Sequence, residues 1–251
     1  MNKMGNSKTV YQTILRPLLI VLLVEVVLMT GSYWFLGING QLNKNARDIL
    51  IQQTENRKSY LQNEMIQKWS NLSTISQTIN ERTQQLIDQD VISLQTLDSS
   101  SKASAPLLNE ISKELISTLY SKEATGIFVI LNTHDLRENK DNKPGIYIRN
   151  SDPSTVFVKE YGDLLLEKAP VEVVRSLSIS TDVHWESTFD LSTEENTLLY
   201  KPFEKAYHDK TKMEAKEYGY WNEKSYHLKN NEDSAISYSM PLILPDGTVY
   251  G

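Results

Sequence analysis

The sequence predicts an α+β protein in which an N-terminal transmembrane helix and a long stalk helix precede an antiparallel sheet flanked by helices. Three observations support this fold class. A long apolar run occupies residues 18–36, an apolar repeat of seven residues follows it, and short β-branched runs begin only after Gly126. Such a run matches the thickness of a bilayer, whereas the repeat indicates one helical face and the later runs indicate strands.

The apolar run, LLIVLLVEVVLMTGSYWFL, is long enough to cross a membrane as a helix. A helix rises about 1.5 Å per residue and a hydrocarbon core is about 30 Å thick. Lys3, Lys8 and Arg16 precede the run without an intervening acid, which favours a cytoplasmic N-terminus. We therefore expect a cytoplasmic tail at residues 1–13 and a single-pass anchor in the cell membrane at residues 14–37, with the remainder outside.

Two other interpretations of the run stay open. A cleavable signal peptide needs a shorter apolar core and a small-residue cleavage site, for which Gly31-Ser32-Tyr33 is a poor candidate. A buried helix of a soluble protein rarely lacks a polar face over this length. Glu25 is the one charged residue in the run, and in lipid a carboxyl is expected to be protonated or to face a partner helix.

Residues 38–104 are predicted to form one long helix and a loop. Met65, Leu72, Ile79 and Leu86 recur at intervals of seven, and neither proline nor glycine interrupts residues 42–86. The seam is rich in polar residues, so the helix is expected to lie along its own domain or to pair in a homodimer. The serine-rich residues 97–105 read as a loop.

Residues 105–251 are predicted to form the folded domain. Ser104 and Pro106 are expected to begin a helix that ends near Glu123. Residues 127–131 and 145–149 read as an antiparallel hairpin. Helical stretches are expected at 163–166 and 170–177, and a strand or extended arm at 183–191. Residues 197–208 are expected to form a loop and a short helix, broken by Pro202. The predicted end of the domain is a strand at 235–244, a turn at Pro245-Asp246-Gly247 and a returning strand, expected to be incomplete, at 248–251.

Composition narrows the classes of function. The chain holds 26 Lys and Arg against 32 Asp and Glu, and its net charge of -6 argues against nucleic acid as a partner. Cysteine is absent, which excludes disulfides and thiolate metal sites. We expect no cofactor, no metal and no catalytic constellation, because the glycines are dispersed and the histidines lack metal-ligand spacing. The histidines are His134, His184, His208 and His227, of which two lie near acids in His134-Asp135 and Asp182-Val183-His184.

A series of segments resembles a known family of sensor domains. The segments are residues 126–133, 144–153, 163–167, 200–206, 219–221 and 236–242, with Pro245-Asp246-Gly247 and Tyr250-Gly251. In order and spacing they resemble the extracellular double-Cache sensor region of bacterial transmembrane signalling proteins. The resemblance is closest to the sensors of membrane diguanylate cyclases and histidine kinases.

This resemblance implies a PAS-like antiparallel sheet behind a long signalling helix. It also implies a role, namely binding a small extracellular molecule and passing a displacement along the helix, with the cyclase or kinase output missing after Gly251. Cache sensors for amino acids carry a Tyr, Arg, Trp and Tyr cluster that this sequence lacks at that spacing, so amino-acid binding is not expected. The chain itself is expected not to be an enzyme; a surface hydrolase or a structural surface protein is the alternative.

Eight residues on the strands and on the loops between them are the candidate ligand contacts: Tyr147, Arg149, Trp185, Tyr200, Lys201, Tyr220, Trp221 and Tyr238. An aromatic box with one or two cations suits a small carboxylate or another polar metabolite. Core packing is the competing explanation for each aromatic ring. Arg149 can equally form a structural ion pair with the nearby Asp152.

Overall fold

The computed structural model describes residues 10–35, 38–137, 140–151, 162–192, 197–209, 211, 213–222, 226–227 and 234–251. Most of the predicted cytoplasmic tail, including Lys3 and Lys8, lies outside these residues. The chain divides into two compact units, Met1–Gln62 and Asn63–Gly251. Over the described residues the protein is α+β, with six α-helices and one mixed sheet of four strands.

The first unit contains helix α1, Val10–Phe35, and nearly all of helix α2, Ile38–Asn63. Within α1, the segment Ile14–Phe35 contains a stretch of 18 residues with a mean hydropathy of 2.2, and none of that stretch is buried. This segment is long and apolar enough to span a membrane, a property that it shares with signal sequences.

The predicted continuous helix over residues 42–86 is wrong at its centre. Helix α2 ends at Asn63, a π-helical turn covers Glu64–Trp69, and helix α3 begins at Ser73 and runs to Asp88. The amide of Ser70 donates to the carbonyl of Met65 at 2.9 Å, which closes the wider turn. A π-turn adds a residue to the helical period and so changes which side chains face the core after it.

Helix α4, Ser101–Ser121, begins earlier than the sequence predicts. Its N-cap is Ser100, whose hydroxyl accepts from the amide of Ala103 at 3.2 Å, so part of the expected loop at 97–105 is helical. Pro106 lies inside the helix instead of starting it. The buried stripe of α4 forms the centre of the core and consists of Leu107, Leu108, Ile111, Leu115, Ile116 and Leu119.

The sheet has the order β1-β2-β3-β4. Its strands are β1, Gly126–Ile130; β2, Gly145–Asn150; β3, Leu164–Lys168; and β4, Ser180–Glu186. The predicted hairpin is confirmed, because β1 and β2 are antiparallel with Gly126 opposite Arg149. Strands β2 and β3 are also antiparallel.

The expected wholly antiparallel sheet is wrong at its last strand, because β3 and β4 are parallel. The residues predicted as a helix at 163–166 form β3, in which Leu164 and Leu166 are fully buried and Leu165 is only partly so. This alternation is the period of a strand. The short helix α5, Val171–Ser176, makes the crossover between the two strands at the position that the sequence predicts.

The remaining elements lie in the last quarter of the chain. Helix α6, Thr197–His208, continues through Pro202, contrary to the predicted break. The expected strand at 235–244 is present only as two short pieces. These pieces are β7, Ser234–Ala235, and β8, Tyr238–Ser239. Strand β7 pairs with β6, Tyr226–His227, and strand β8 pairs with β5, Tyr220–Trp221.

The predicted turn at Pro245-Asp246-Gly247 is confirmed. Gly247 has a φ of 87°, a left-handed conformation that glycine adopts without steric cost, and its amide donates to the carbonyl of Leu244 at 2.8 Å. The chain then returns, and Val249 forms a bridge with Ile243. The amide of Asn132 donates to the carbonyl of Tyr250 at 2.9 Å, so the returning segment is tied to the chain just after β1.

The two faces of the sheet pack against different layers. Ile127 and Val129 of β1 join the main core with helices α3 and α4. Phe128 and Ile130, which alternate with them, join a second cluster on the other face. That cluster is completed by Leu136, Tyr147, Phe189, Leu191, Tyr200, Phe203 and Val249.

Candidate functional site

A wide groove with a volume of about 1080 Å³ lies between helix α3, the residues after α6 and the turn around Gly247. Helix α3 is amphipathic, so Ile79 faces the core while the polar side chains of its other positions form one wall. The lining residues of α3 include Gln77, Asn80, Glu81, Gln84, Gln85 and Asp88. Their amides and carboxylates offer both donors and acceptors to a polar molecule.

The groove is acidic. Five of its described lining residues are carboxylates, namely Glu81, Asp88, Asp209, Glu214 and Asp246. Lys216 is the one Lys or Arg among the lining residues that the structure describes, and its amine contacts a carboxylate oxygen of Glu214 at 2.6 Å.

Hydrogen bonds lower the pKa of two of these carboxylates. The bond from Lys216 lowers the pKa of Glu214, and the bonds from the amide and hydroxyl of Thr211 lower the pKa of Asp209. The groove is therefore negative at neutral pH and suits a neutral or cationic molecule better than an anion.

A buried polar network holds the groove together. The hydroxyl of Tyr250, a residue with no exposed surface, donates to Asn80 Oδ1 at 2.7 Å and accepts from Thr83 Oγ1 at 3.1 Å. Asn80 Nδ2 in turn donates to the carbonyl of Ile243 at 2.7 Å. Burial raises the pKa of Tyr250, so the phenol stays neutral. The sequence analysis missed this network; its signal is the polar pair Asn80 and Thr83 beside the apolar seam.

A second cavity, of about 90 Å³, is narrower and largely apolar. It is enclosed by helix α3, strand β1, helix α6 and the residues after β8. Of the eight predicted ligand contacts it includes Tyr200 alone, and the larger groove includes none of them. Neither cavity therefore corresponds to the predicted aromatic box.

Arg149 lies in a buried ion cluster that joins three strands. Its Nε donates to Glu167 Oε1 at 2.5 Å, and its Nη2 donates to Asp182 Oδ2 at 2.7 Å. All three side chains are at most 10% exposed. Burial alone raises the pKa of Asp182, but hydrogen bonds from the His184 amide and from Arg149 outweigh it and lower that pKa. An ion pair at Arg149 is thus present, although Asp152, the expected partner, lies outside the described residues.

Of the other predicted contacts, the structure brings four together where α6 meets β5 and β8, namely Lys201, Tyr220, Trp221 and Tyr238. The rings of Tyr147 and Phe128 meet edge to face at 6.4 Å. The amine of Lys140 donates to the hydroxyl of Tyr200 at 2.8 Å. Further pairs are Lys201 with Tyr220, where the amine lies 3.1 Å from the hydroxyl, and Trp221 with Tyr238, whose ring centroids are 5.2 Å apart. Trp185 packs against the main core, and its buried Nε1 has no partner among the described residues.

His134 is oriented by Asp98 and not by its neighbour Asp135. Its Nδ1 lies 3.0 Å from the carboxylate of Asp98, which also accepts from the amide and hydroxyl of Thr133 and, at 3.4 Å, from the amine of Lys143. Asp182 accepts from the backbone amide of His184 at 2.8 Å. Among the described residues no group of three or more His, Asp or Glu has metal-binding geometry.

Fold and site together define the class of protein: an α+β domain with an acidic groove, preceded by a helix long and apolar enough to span a membrane. No protein-family model matches the chain, and no curated protein and no solved structure is significantly similar to it.

Proposed function

We propose that this chain is a membrane-anchored sensor. Its second unit, Asn63–Gly251, called the folded unit from here on, binds a small extracellular molecule in the groove beside α3. The observation that carries the proposal is the groove of about 1080 Å³ in a chain that also carries a helix of membrane length. Small-molecule sites are concave cavities of roughly 300–1,000 Å³ with a few placed polar groups. The groove lies at the upper limit of this range, and polar side chains of α3 along one wall could orient a small polar molecule.

The membrane anchor is supported by the exposure of α1. Its apolar side chains, such as Leu28 at 65% and Leu23 at 64%, have no protein covering. Apolar surface in water costs about 25 cal/mol per Å², so this exposure favours a bilayer as the environment of the helix. The basic residues before it favour an outer location for the rest of the chain.

The resemblance to double-Cache sensors supports the same role. It implies that the parent protein is a diguanylate cyclase or a histidine kinase and that two copies pair along the stalk. Sensing then requires a ligand that binds one packing of the domain better than another, because equal affinity for two states shifts nothing.

Charge selects the class of ligand. The excess of carboxylates in the groove disfavours the small carboxylate that the predicted aromatic box would suit. We propose a neutral polar molecule, such as a sugar or an amide, or a small amine. The amide side chains of Gln77 and Gln84 would bind its hydroxyl or amino groups.

The binding test measures the melting temperature of the full chain in lipid nanodiscs against a panel of sugars, amides, amines and carboxylates. A ligand at one hundred times its Kd stabilises the fold by about 2.7 kcal/mol. Gln84→Trp, which fills the groove, should abolish the shift. Gln95→Trp, an exposed change outside the groove, should leave it intact. Stabilisation by carboxylates alone, or binding that survives Gln84→Trp, would reject the groove as the ligand site.

The location is tested independently. Because the chain has no cysteine, Ser99→Cys provides a single thiol on the folded unit. We expect a membrane-impermeant maleimide to label this thiol on intact cells. Labelling only after lysis would place the domain inside and contradict the sensor role.

A further inference from the structure

Glu25 lies near the centre of the segment proposed to cross the membrane. In the helix Ile14–Phe35 it is about 15 Å from either end at a rise of 1.5 Å per residue. A hydrocarbon core is about 30 Å thick, so the carboxyl is at its greatest distance from water. The side chain is too short to reach the interface from that depth.

Nothing in the described part of the chain satisfies this carboxyl. Its neighbours one turn away, at positions 21, 22, 28 and 29, are Val, Leu, Leu and Met. The hydroxyls of Thr30 and Ser32 donate to carbonyls of their own helix, those of Val26 and Met29. Residues 17–35 contain no Lys, Arg or His. An unsatisfied polar group in hydrocarbon costs several kcal/mol, so a partner from another molecule is strongly favoured.

We infer that Glu25 is the contact through which two copies of α1 associate inside the bilayer. This inference rests on the proposed function, since it requires α1 to span the membrane. In a parallel pair related by two-fold symmetry, the same residue of both copies lies at the same depth. A hydrogen bond between the two carboxyl groups then gives each Glu25 a partner.

A second copy is favoured over a different protein by the helix that follows in the first unit. Helix α2 leaves Leu42, Ile49 and Tyr60 more than half exposed, at 57%, 55% and 64%. An identical α2 could cover these side chains, and a parallel pair brings the two α2 helices together on the same side of the membrane. An unrelated membrane helix would satisfy Glu25 alone and leave α2 uncovered.

The experiment measures energy transfer between copies of the full chain in liposomes, with dyes on the single thiol of Ser99→Cys. Glu25→Leu should weaken association about 3- to 30-fold, the range expected for loss of an interhelical polar contact. Glu25→Gln should retain association, because an amide both donates and accepts. Val27→Leu, a change on another face of α1, serves as the matched control and should have no effect.

The outcomes separate the inference from the proposed function. Release of the wild-type chain from membranes at alkaline pH would reject the anchor itself. Retention in the membrane with equal association of wild type and Glu25→Leu would reject the Glu25 contact and leave the anchor standing. Loss of association in Glu25→Gln equal to that in Glu25→Leu would also overturn it. Association of the wild type in cells but not in liposomes of pure lipid would identify a different partner and overturn the second copy.

Discussion

Helices α1 and α4 are both long and rich in apolar residues, yet they occupy opposite environments. Leu28 of α1 is 65% exposed, whereas Ile111 of α4 has no exposed surface. The apolar residues of α4 form one stripe, with Glu110 and Lys113 turned outward. Those of α1 surround the helix, so no single protein layer could cover them. The distribution of apolar residues, and not their number, separates a core helix from a membrane helix.

The largest expected effect comes from a substitution in the folded unit that removes the cation between two buried carboxylates. Arg149→Met leaves the carboxylates of Glu167 and Asp182 buried without a cation and should cost about 3–5 kcal/mol of unfolding free energy. Urea denaturation of the full chain in detergent measures it. Lys216→Met removes one member of a pair that is 58% and 75% exposed and should leave the free energy of unfolding nearly unchanged, because solvent screens an exposed pair. Equal losses would mean that the Arg149 cluster is open to water.

The comparison of the two helices is tested by truncating one apolar side chain in each. Ile111→Ala should destabilise the folded unit by about 2–5 kcal/mol, because it removes methyl groups and leaves a cavity. Leu22→Ala, at a position 55% exposed in α1, should leave the same unfolding transition unchanged. Both are measured in the same urea titration. A large effect of Leu22→Ala would show that α1 packs against protein and is not a lipid-facing helix.

A smaller loss is expected at the groove. Tyr250→Phe removes the hydroxyl that joins Asn80 to Thr83 and should cost about 1–3 kcal/mol, since Asn80 Oδ1 loses its donor, whereas Thr83 keeps its bond to the carbonyl of Ile79. Thermal unfolding of the full chain measures the change. Tyr207→Phe, at a residue 39% exposed on the groove wall, should stay within about 0.5 kcal/mol.

The smallest effect is a dependence on pH. Burial raises the pKa of Asp98, but hydrogen bonds from His134 and Thr133 and the charge of Lys143 outweigh it, so the net shift is downward. A carboxyl with a lowered native pKa adds stability above its unfolded value of about 3.9 and loses it as pH falls through the native value. Between about pH 5 and pH 2, a range that includes these pKa values, the free energy of unfolding should decline less steeply for Asp98→Asn than for wild type. An unchanged slope would exclude Asp98 as a contributor.

The local patterns predicted most of the helices and the hairpin. Residues 127–131 and 145–149 show strand periodicity, and the pair folds as β1 and β2. The prediction failed at residues 163–166, where a short leucine run fits a helix and a strand equally well. It also failed at Pro202, which lies in the middle of α6 although local rules treat an interior proline as a break.

The candidate site was much less predictable. The sequence patterns favoured aromatic residues and cations. The structure brings four of these residues together beside α6, β5 and β8, and neither cavity includes the four. The groove is instead bounded by residues from positions 73–88, 206–218 and 240–249. No spacing rule relates residues so far apart in the chain. Asn80 and Tyr250 meet only because α3 and the returning C-terminal segment pack together.

The presence of a membrane-length helix and of an α+β domain after it follows from residue order alone, because hydrophobic length and periodicity are local properties. The parallel pairing of β3 and β4, the break at residues 64–72 and the acidic groove depend on contacts between distant segments. These contacts form where burial of one segment against another outweighs local preference, and that balance exists only in the folded chain.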